Sequence, residues 1–283
     1  MTTPRLVATC WTSAGAALPG AADQTSPYPV LDRVRAVAAA GWSGLGLVHD
    51  DLRLARDTIG FAALRDAIGD AGLTHVEVEL AEGWWRPGGR GERWTLLLDA
   101  AEALGATFIK AGTDMGPPID DLGPLVTPLR ALAVEAADRG TRVALEPLPF
   151  SMIETVPRGA ELVELVGHPA AGLVIDFWHV FRAGTSLVDL TATMPPERVF
   201  GVELCDAEAE PIGTLFEDTR DRRRLLGEGV QDVTGFIGAM RSLGFDGPWG
   251  VEILSDAHRA LPLDAALRSA YASGVHAFER VPD

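Results

Sequence analysis

Four carboxylates in the second half of the chain stand within segments that are otherwise apolar. They are Glu146 in VALEPLPF, Asp176 in LVIDFWH, Glu203 in FGVELCD and Glu252 in GVEIL. Carboxylates buried together lose hydration and repel one another, so a positive charge must lie among them, and a divalent metal ion is its simplest source. Because oxygen ligands suit Mg²⁺ or Mn²⁺ better than zinc, we predict that the four residues bind one of these two ions.

Each of these carboxylates, taken alone, also has a less specific explanation. A single Glu at the end of a strand is more often a cap or a salt-bridge partner than a metal ligand, and Asp206 could take the role of Glu203. Four such residues on four successive strands are much harder to explain without a metal ion. Lys110, in TFIKAG, either balances this negative charge, holds a substrate carboxylate, or is an exposed lysine in a turn.

Eight short apolar segments alternate with longer segments of helical periodicity, and these elements must position the carboxylates. The predicted strands span residues 6–10, 44–48, 74–79, 107–111, 142–146, 172–176, 199–204 and 248–253. Most are nearly continuous apolar runs, as in parallel strands covered on both faces. The pattern predicts an α/β protein, a single-domain (β/α)8 TIM barrel over residues 1–283. A doubly wound sheet would need a glycine-rich phosphate loop, and the glycines of TSAGAALPGAAD have the wrong spacing for one.

In a barrel of this kind the chemistry takes place where the strands end at their carboxyl termini. The four carboxylates and Lys110 fall near such ends, and His179 follows Asp176 by three residues. Loops containing Pro and Gly, at residues 18–29, 86–92 and 112–124, are expected on the same face. Five aromatic residues near strand ends could cover the apolar face of a sugar ring, although core or interface packing is the safer explanation for any one of them: Trp11, Trp84, Trp85, Phe150 and Trp178.

Composition excludes several other kinds of partner. The 283 residues include 24 basic and 40 acidic ones, and the net charge of −16 opposes binding to nucleic acid or anionic lipid. No apolar run approaches the ~18 residues of a membrane span, and MTTPRLVATC lacks the apolar core of a signal peptide. Two cysteines, Cys10 and Cys205, cannot form a disulfide framework. We expect a soluble cytoplasmic protein without nucleic-acid or membrane partners, and we leave open whether it forms a homo-oligomer.

The second half of the chain resembles the xylose isomerase-like barrels, in particular their sugar phosphate isomerase/epimerase branch. The segments that carry the resemblance are EPLPF, IDFWHVFR, RRRLLGEG and FDGPWGVEIL. The resemblance implies that Glu146, Asp176 and Glu252 are metal ligands. It also implies that His179 and one arginine of the cluster Arg222, Arg223 and Arg224 contact substrate oxygens.

Two positions depart from the family pattern. Glu203 stands where many members carry His and others carry a neutral amide, so the preferred metal is less certain than the site itself. Leu226 replaces a turn proline, but Gly227 and Gly229 remain. The apurinic-site endonucleases of the same superfamily need more histidines at strand ends than this chain, with six in total, can supply.

A metal site of this kind predicts proton abstraction next to a carbonyl, through a metal-stabilised enediolate. Glu146 and Glu252 are expected to act both as ligands and as the acid/base pair, while His179 polarises a substrate oxygen. Lys110 and Trp178 are further candidates for contacts to the substrate. The activity predicted is that of an isomerase or epimerase of a keto sugar or related polyol. The alternatives are a lyase or dehydratase of a keto-sugar or keto-cyclitol, and a non-catalytic sugar-binding subunit.

Overall fold

Eight parallel strands close into one barrel in the order in which they occur along the chain. The computed structural model describes residues 4–281. The strands are β1 Leu6–Ala8, β2 Gly44–Val48, β3 His75–Ala81, β4 Ile109–Ala111, β5 Val143–Leu145, β6 Ala171–Asp176, β7 Val199–Leu204 and β8 Trp249–Val251. The barrel predicted from the alternating pattern is therefore confirmed.

Helices surround the barrel and connect each strand to the next. In residues 4–281 they are α1 Cys10–Ser13, α2 Val30–Ala39, α3 His49–Thr58, α4 Phe61–Asp70, α5 Glu92–Leu104, α6 Gly123–Asp138, α7 Val156–Val166, α8 Phe177–Arg182, α9 Leu187–Thr193, α10 Leu215–Asp221, α11 Val233–Ser242, α12 Asp256–Arg259 and α13 Leu263–Glu279. Helices α5 and α7 end at Gly105 and Gly167, whose positive φ angles of 70° and 62° are readily adopted only by glycine. No helix in the described part of the chain is both long and apolar enough to cross a bilayer.

The strands are apolar along their length because both of their faces are covered. Every residue of β6 is buried, and its outward side chains join the large core beneath the helices. Inside the barrel a separate apolar cluster of Phe108, Ala144, Val174 and Phe200 fills the space below the mouth. Packed layers of this kind leave no channel through the barrel, so a substrate can bind only at its mouth.

Strand register decides which side chains reach that mouth. Residues that pair across neighbouring parallel strands point to the same side, and Lys110 pairs with Ala144 while Glu203 pairs with both Asp176 and Gly250. Glu146 and Glu252 lie one residue beyond β5 and β8, where their N–H groups still donate to carbonyls of the preceding strands. The inward positions at the carboxyl ends therefore converge on one another, as the sequence predicted.

Candidate active site

A cavity of about 540 Å³ opens at the carboxyl ends of the strands. Six of the βα units contribute polar side chains to its inner wall, among them Glu79, Lys110, Glu146, His179, Arg223 and Glu252. Its outer wall is largely apolar and includes Trp11, Leu148, Phe150 and Phe216. A cavity with apolar walls and a few converging polar groups is the usual form of a small-molecule site.

The four predicted metal ligands are brought together at the base of this cavity. Glu146, Asp176, Glu203 and Glu252 each offer an oxygen within 4.8 Å of the oxygens of the other three, and all four residues are buried. Glu146 and Asp176 form a second such group with His179. Asp206, the alternative to Glu203, is not part of either group, because it accepts hydrogen bonds from the backbone N–H groups of Gly227 and Gln231 and fixes that loop instead.

Lys110 lies among these carboxylates, only 2% exposed. Its Nζ is 2.7 Å from Glu203 Oε1, 3.2 Å from Glu79 Oε2, 3.5 Å from Glu252 Oε1 and 3.9 Å from Glu146 Oε1. These surrounding negative charges hold the pKa of Lys110 well above its ordinary value although burial alone lowers it. Of the roles considered from the sequence, the structure therefore places Lys110 as a counter-charge, and it is not exposed.

Arg223 is the second cation of the cluster. Its Nη1 donates to Asp176 Oδ2 at 2.6 Å and lies 3.1 Å from Glu252 Oε2, and its Nε and Nη2 donate to Thr219 Oγ1. The guanidinium also lies 5.5 Å from the ring centroid of Trp178. Planar, fixed donors of this kind hold two carboxylates in one orientation, so Arg223 orients Asp176 and Glu252.

His179 lies on the first turn of α8, where its N–H donates to Asp176 Oδ1 as part of the helix cap. Its Nε2 is 3.3 Å from Arg223 Nη2 and 3.7 Å from Glu146 Oε1. Because a guanidinium can only donate, the first contact requires an unprotonated Nε2 and leaves the ring proton on Nδ1. Burial and the adjacent Arg223 charge hold the pKa of His179 well below its ordinary value, so the ring is neutral at physiological pH.

Burial also shifts the pKa values of three carboxyl groups in the cluster. Desolvation raises the pKa of Glu146 to about 8, and it raises the pKa values of Glu79 and Glu203 in the same direction, in each case against the attraction of Lys110. The charge of Glu252 adds to all three shifts. Carboxyl groups whose pKa lies near neutral pH are suited to accept and return a proton.

The raised pKa of Glu146 predicts a pH-dependent stability. Native Glu146 keeps a proton up to about pH 8, whereas the unfolded chain releases it near pH 4.5, so the free energy of unfolding of the metal-free protein should fall across this window. The lowered pKa of His179 acts in the opposite direction only below its ordinary 6.5. Between pH 6.5 and pH 8 we expect a fall of about 2 kcal/mol in urea unfolding. Glu146→Gln should reduce this slope to the part that Glu79 and Glu203 contribute, and an unchanged slope in that variant would contradict the assignment.

The donor set fits a hard divalent ion. In residues 4–281, the cations that face the five carboxylates of Glu79, Glu146, Asp176, Glu203 and Glu252 are Lys110 and Arg223, which leaves a formal excess of three negative charges. Within the described residues, Glu146 Oε1 and Glu203 Oε2 are buried oxygens without a hydrogen-bond donor. Buried, unpaired carboxylate oxygens are costly unless they coordinate a cation, and an all-carboxylate set suits Mg²⁺ or Mn²⁺.

The remaining predicted residues do not all reach the cavity. Arg222 and Arg224 are about half exposed and pair with Asp256 and Glu208 at the surface. Isolated bridges join Arg222 to Ser255 and Arg224 to Asp206, and of the three arginines only Arg223, between them, is buried and lines the cavity. Trp178 is fully buried against His179, with ring centroids 5.1 Å apart, and supports the site from behind.

The structure adds residues that the sequence analysis did not assign to the site. Glu79 is the member of the alternating series His75, Glu77 and Glu79 that lies nearest the carboxyl end of β3, and it lines the cavity. This alternation was the sequence feature that could have indicated its place in the site. The position of His49 directly after β2 favours a solvated loop histidine, but the residue is buried at the start of α3 and lines the cavity. Pro19, Gly20 and Gln24, from the loop after β1, line the same cavity.

Comparisons with known proteins agree with this geometry. The family model described as xylose isomerase-like TIM barrel matches residues 34–273. The chain is 28% identical over 242 residues to a 3-dehydroshikimate dehydratase of Pseudomonas putida, covering 82% of this chain and 37% of that protein. It is 28% identical over 147 residues to an inosose isomerase of Halalkalibacterium halodurans, covering 51% of each.

Among solved structures, one described as the IOLI protein with a binding zinc atom superposes with a TM-score of 0.80 over 99% of both chains. Its sequence identity of 19% supports a common fold only. The chain spans little more than a third of the dehydratase and about half of the isomerase, so neither activity transfers to it directly.

Proposed function

This chain belongs to the xylose isomerase-like TIM barrel family, and we propose that it is a divalent-metal-dependent isomerase or epimerase of an uncharged keto sugar or keto-cyclitol. The observation that carries the proposal is the pair Glu146 and Glu252. Both line the cavity, and both belong to the group of four oxygens that could hold a metal ion. A carboxylate that touches both the substrate and a cation is positioned to remove an acidified proton.

The residues that would hold the metal ion are Glu146, Asp176, Glu203 and Glu252. When bound, the ion would polarise the substrate carbonyl and its neighbouring hydroxyl. The carboxylates of Glu146 and Glu252, which offer oxygens within 4.8 Å of each other, would take a proton from the carbon next to the carbonyl and return it to a different carbon or face. Neutral His179 would contact a substrate oxygen from the cavity wall, and Arg223 would keep Asp176 and Glu252 in orientation.

The charges around the cavity support an uncharged substrate. Each cation in the described lining, namely Lys110, Arg86 and Arg223, already faces at least one carboxylate. His49 is neutral as well, because burial lowers its pKa. A substrate carboxylate or phosphate would therefore find no free positive side chain there, whereas Trp11 and Phe150 offer apolar faces to the C–H side of a ring.

A dehydratase of a keto-cyclitol is the second candidate. The longer of the two curated matches is to a dehydratase, and elimination of water begins with the same proton removal as isomerisation. The two reactions differ in what leaves after that step, which depends on where a hydroxyl of the bound substrate lies relative to an acid. His179 and protonated Glu146, which both line the cavity, are the candidates for that acid.

The proposal is tested with purified protein in D₂O, loaded with Mn²⁺ and offered ketoses, keto-cyclitols and 3-dehydroshikimate, with products followed by NMR. We expect deuterium at the carbon next to the carbonyl of an uncharged substrate, and no exchange after the metal is removed by a chelator. A product that lacks the elements of water would identify the dehydratase instead. Turnover of the carboxylated substrate alone, or equal exchange without metal, would contradict the proposal.

A further inference from the structure

Lys110 differs from the other buried cations in the number of carboxylates it faces. Its ammonium lies within 3.9 Å of carboxylate oxygens from four βα units, whereas the equally buried Arg33 pairs with one carboxylate of the described residues, that of Asp51. An ammonium needs one partner to be stable in a protein interior. Four partners place it at the centre of the anionic cluster, where its charge acts on every member.

Three of these four partners are also proposed metal ligands. Glu146, Glu203 and Glu252 face Lys110 and belong to the group of four that could hold a divalent ion. The ammonium and the ion therefore draw on the same negative charges, and two cations in one buried cluster repel each other strongly. Lys110 Nζ is already 2.7 Å from Glu203 Oε1, an oxygen of a proposed ligand, so the two cations would lie within the same cluster.

The barrel is shaped to keep Lys110 and Glu203 in contact. A Cβ at Gly250 would lie 2.8 Å from Glu203 Cγ, so glycine at this inward position leaves room for the Glu203 side chain. A Cβ at Gly201 would lie 2.9 Å from the ring of Phe108, the inward residue two positions before Lys110. Gly250 thus makes room for the Glu203 side chain that accepts the 2.7 Å hydrogen bond from Lys110, and Gly201 makes room for the aromatic ring below it.

We propose that Lys110 is a positioning residue, an internal counter-ion that competes with the divalent ion for Glu146, Glu203 and Glu252. It holds the carboxylates together when no metal is bound and lowers the affinity of the site for metal. The inference rests on the metal site of the proposed function, but not on which reaction the enzyme catalyses. Lys110 thus sets how readily the site gains and loses its ion.

The test compares wild-type protein with Lys110→Met, using calorimetric titration with Mn²⁺ and thermal unfolding of the metal-free protein. We expect Lys110→Met to bind Mn²⁺ about tenfold more tightly or better, because one like charge has been removed from the cluster. Its metal-free form should have a lower Tm, and Mn²⁺ should raise that Tm more than it does in wild type. Lys110→Arg, which keeps the charge, should return the Mn²⁺ affinity toward the wild-type value.

Arg33→Met is the matched control, because it also removes a buried cation from a carboxylate but lies outside the cluster. It should lower the Tm without changing the Mn²⁺ affinity. If Lys110→Met fails to fold, the double variant Lys110→Met with Glu203→Gln restores the charge balance. It should bind Mn²⁺ more tightly than Glu203→Gln alone.

The outcomes separate this inference from the proposed function. Equal or weaker Mn²⁺ binding by folded Lys110→Met would overturn the competition and leave the metal site standing. Absence of Mn²⁺ binding in wild type and in every variant would overturn the competition and the proposed metal site together. Binding by Lys110→Met alone would support the competition and contradict a metal-dependent wild-type enzyme.

Discussion

Replacement of Glu146 or Glu252 with Gln is expected to lower turnover by about 10²-fold or more, the usual contribution of a general base. Glutamine keeps the shape of the side chain and one ligating oxygen, but it cannot accept a proton. Both residues line the cavity and are buried among the carboxylates of the cluster. Metal content by mass spectrometry and kcat with the best substrate of the panel, measured on the same preparations, would separate loss of the base from loss of the ion.

Glu161→Gln is the matched control for these two variants. Glu161 lies on α7, the helix after Glu146, and its side chain is 54% exposed beside Arg158. Its replacement should leave both turnover and metal content near their wild-type values. If both Glu146→Gln and Glu252→Gln turned over at wild-type rates with metal bound, the base would have to be another residue. Glu79, which lines the same cavity, would then be the next candidate.

Replacement of Arg223 with Met is expected to destabilise the metal-free protein by about 3–5 kcal/mol, because it leaves buried charges without their partner. Asp176 would lose its 2.6 Å donor, and Glu252 would lose the guanidinium 3.1 Å away. Thr219 would also lose the groups that donate to its hydroxyl. Urea unfolding at pH 7 measures the effect, and kcat/KM should fall because Glu252 is no longer oriented.

The neighbouring arginines provide the control within the same segment. Arg222→Met and Arg224→Met remove exposed salt bridges at the surface, which contribute about 0–1 kcal/mol. Among the three adjacent arginines, we therefore expect a large loss in the free energy of unfolding for Arg223→Met and small losses for Arg222→Met and Arg224→Met. A loss of stability in Arg223→Met no greater than in Arg224→Met would show that the buried pairing with Asp176 is not required.

Much of the fold could be predicted from the sequence because its signals are local. A strand covered on both faces must be apolar throughout, and segments such as LVIDF are recognisable for that reason. Eight of them alternating with helical segments allow few arrangements other than a closed barrel. Glu146, Asp176, Glu203 and Glu252 stand at or near the carboxyl ends of four of these strands. Their convergence could be predicted because a closed parallel barrel brings the carboxyl ends of its strands to one face.

Contacts between distant strands could be decided only by the tertiary structure. Lys110 and Glu203 are 93 residues apart, and their 2.7 Å contact depends on the register of each intervening strand. A shift of one residue would turn either side chain to the other face. The position of Arg223 is likewise decided by the tertiary structure. Bridges at Arg222 and Arg224 fix the segment so that the side chain of Arg223 lines the cavity, while those of Arg222 and Arg224 lie at the surface. Residue types and strand ends thus predicted an anionic metal site, whereas barrel closure and register decided which cations lie inside it.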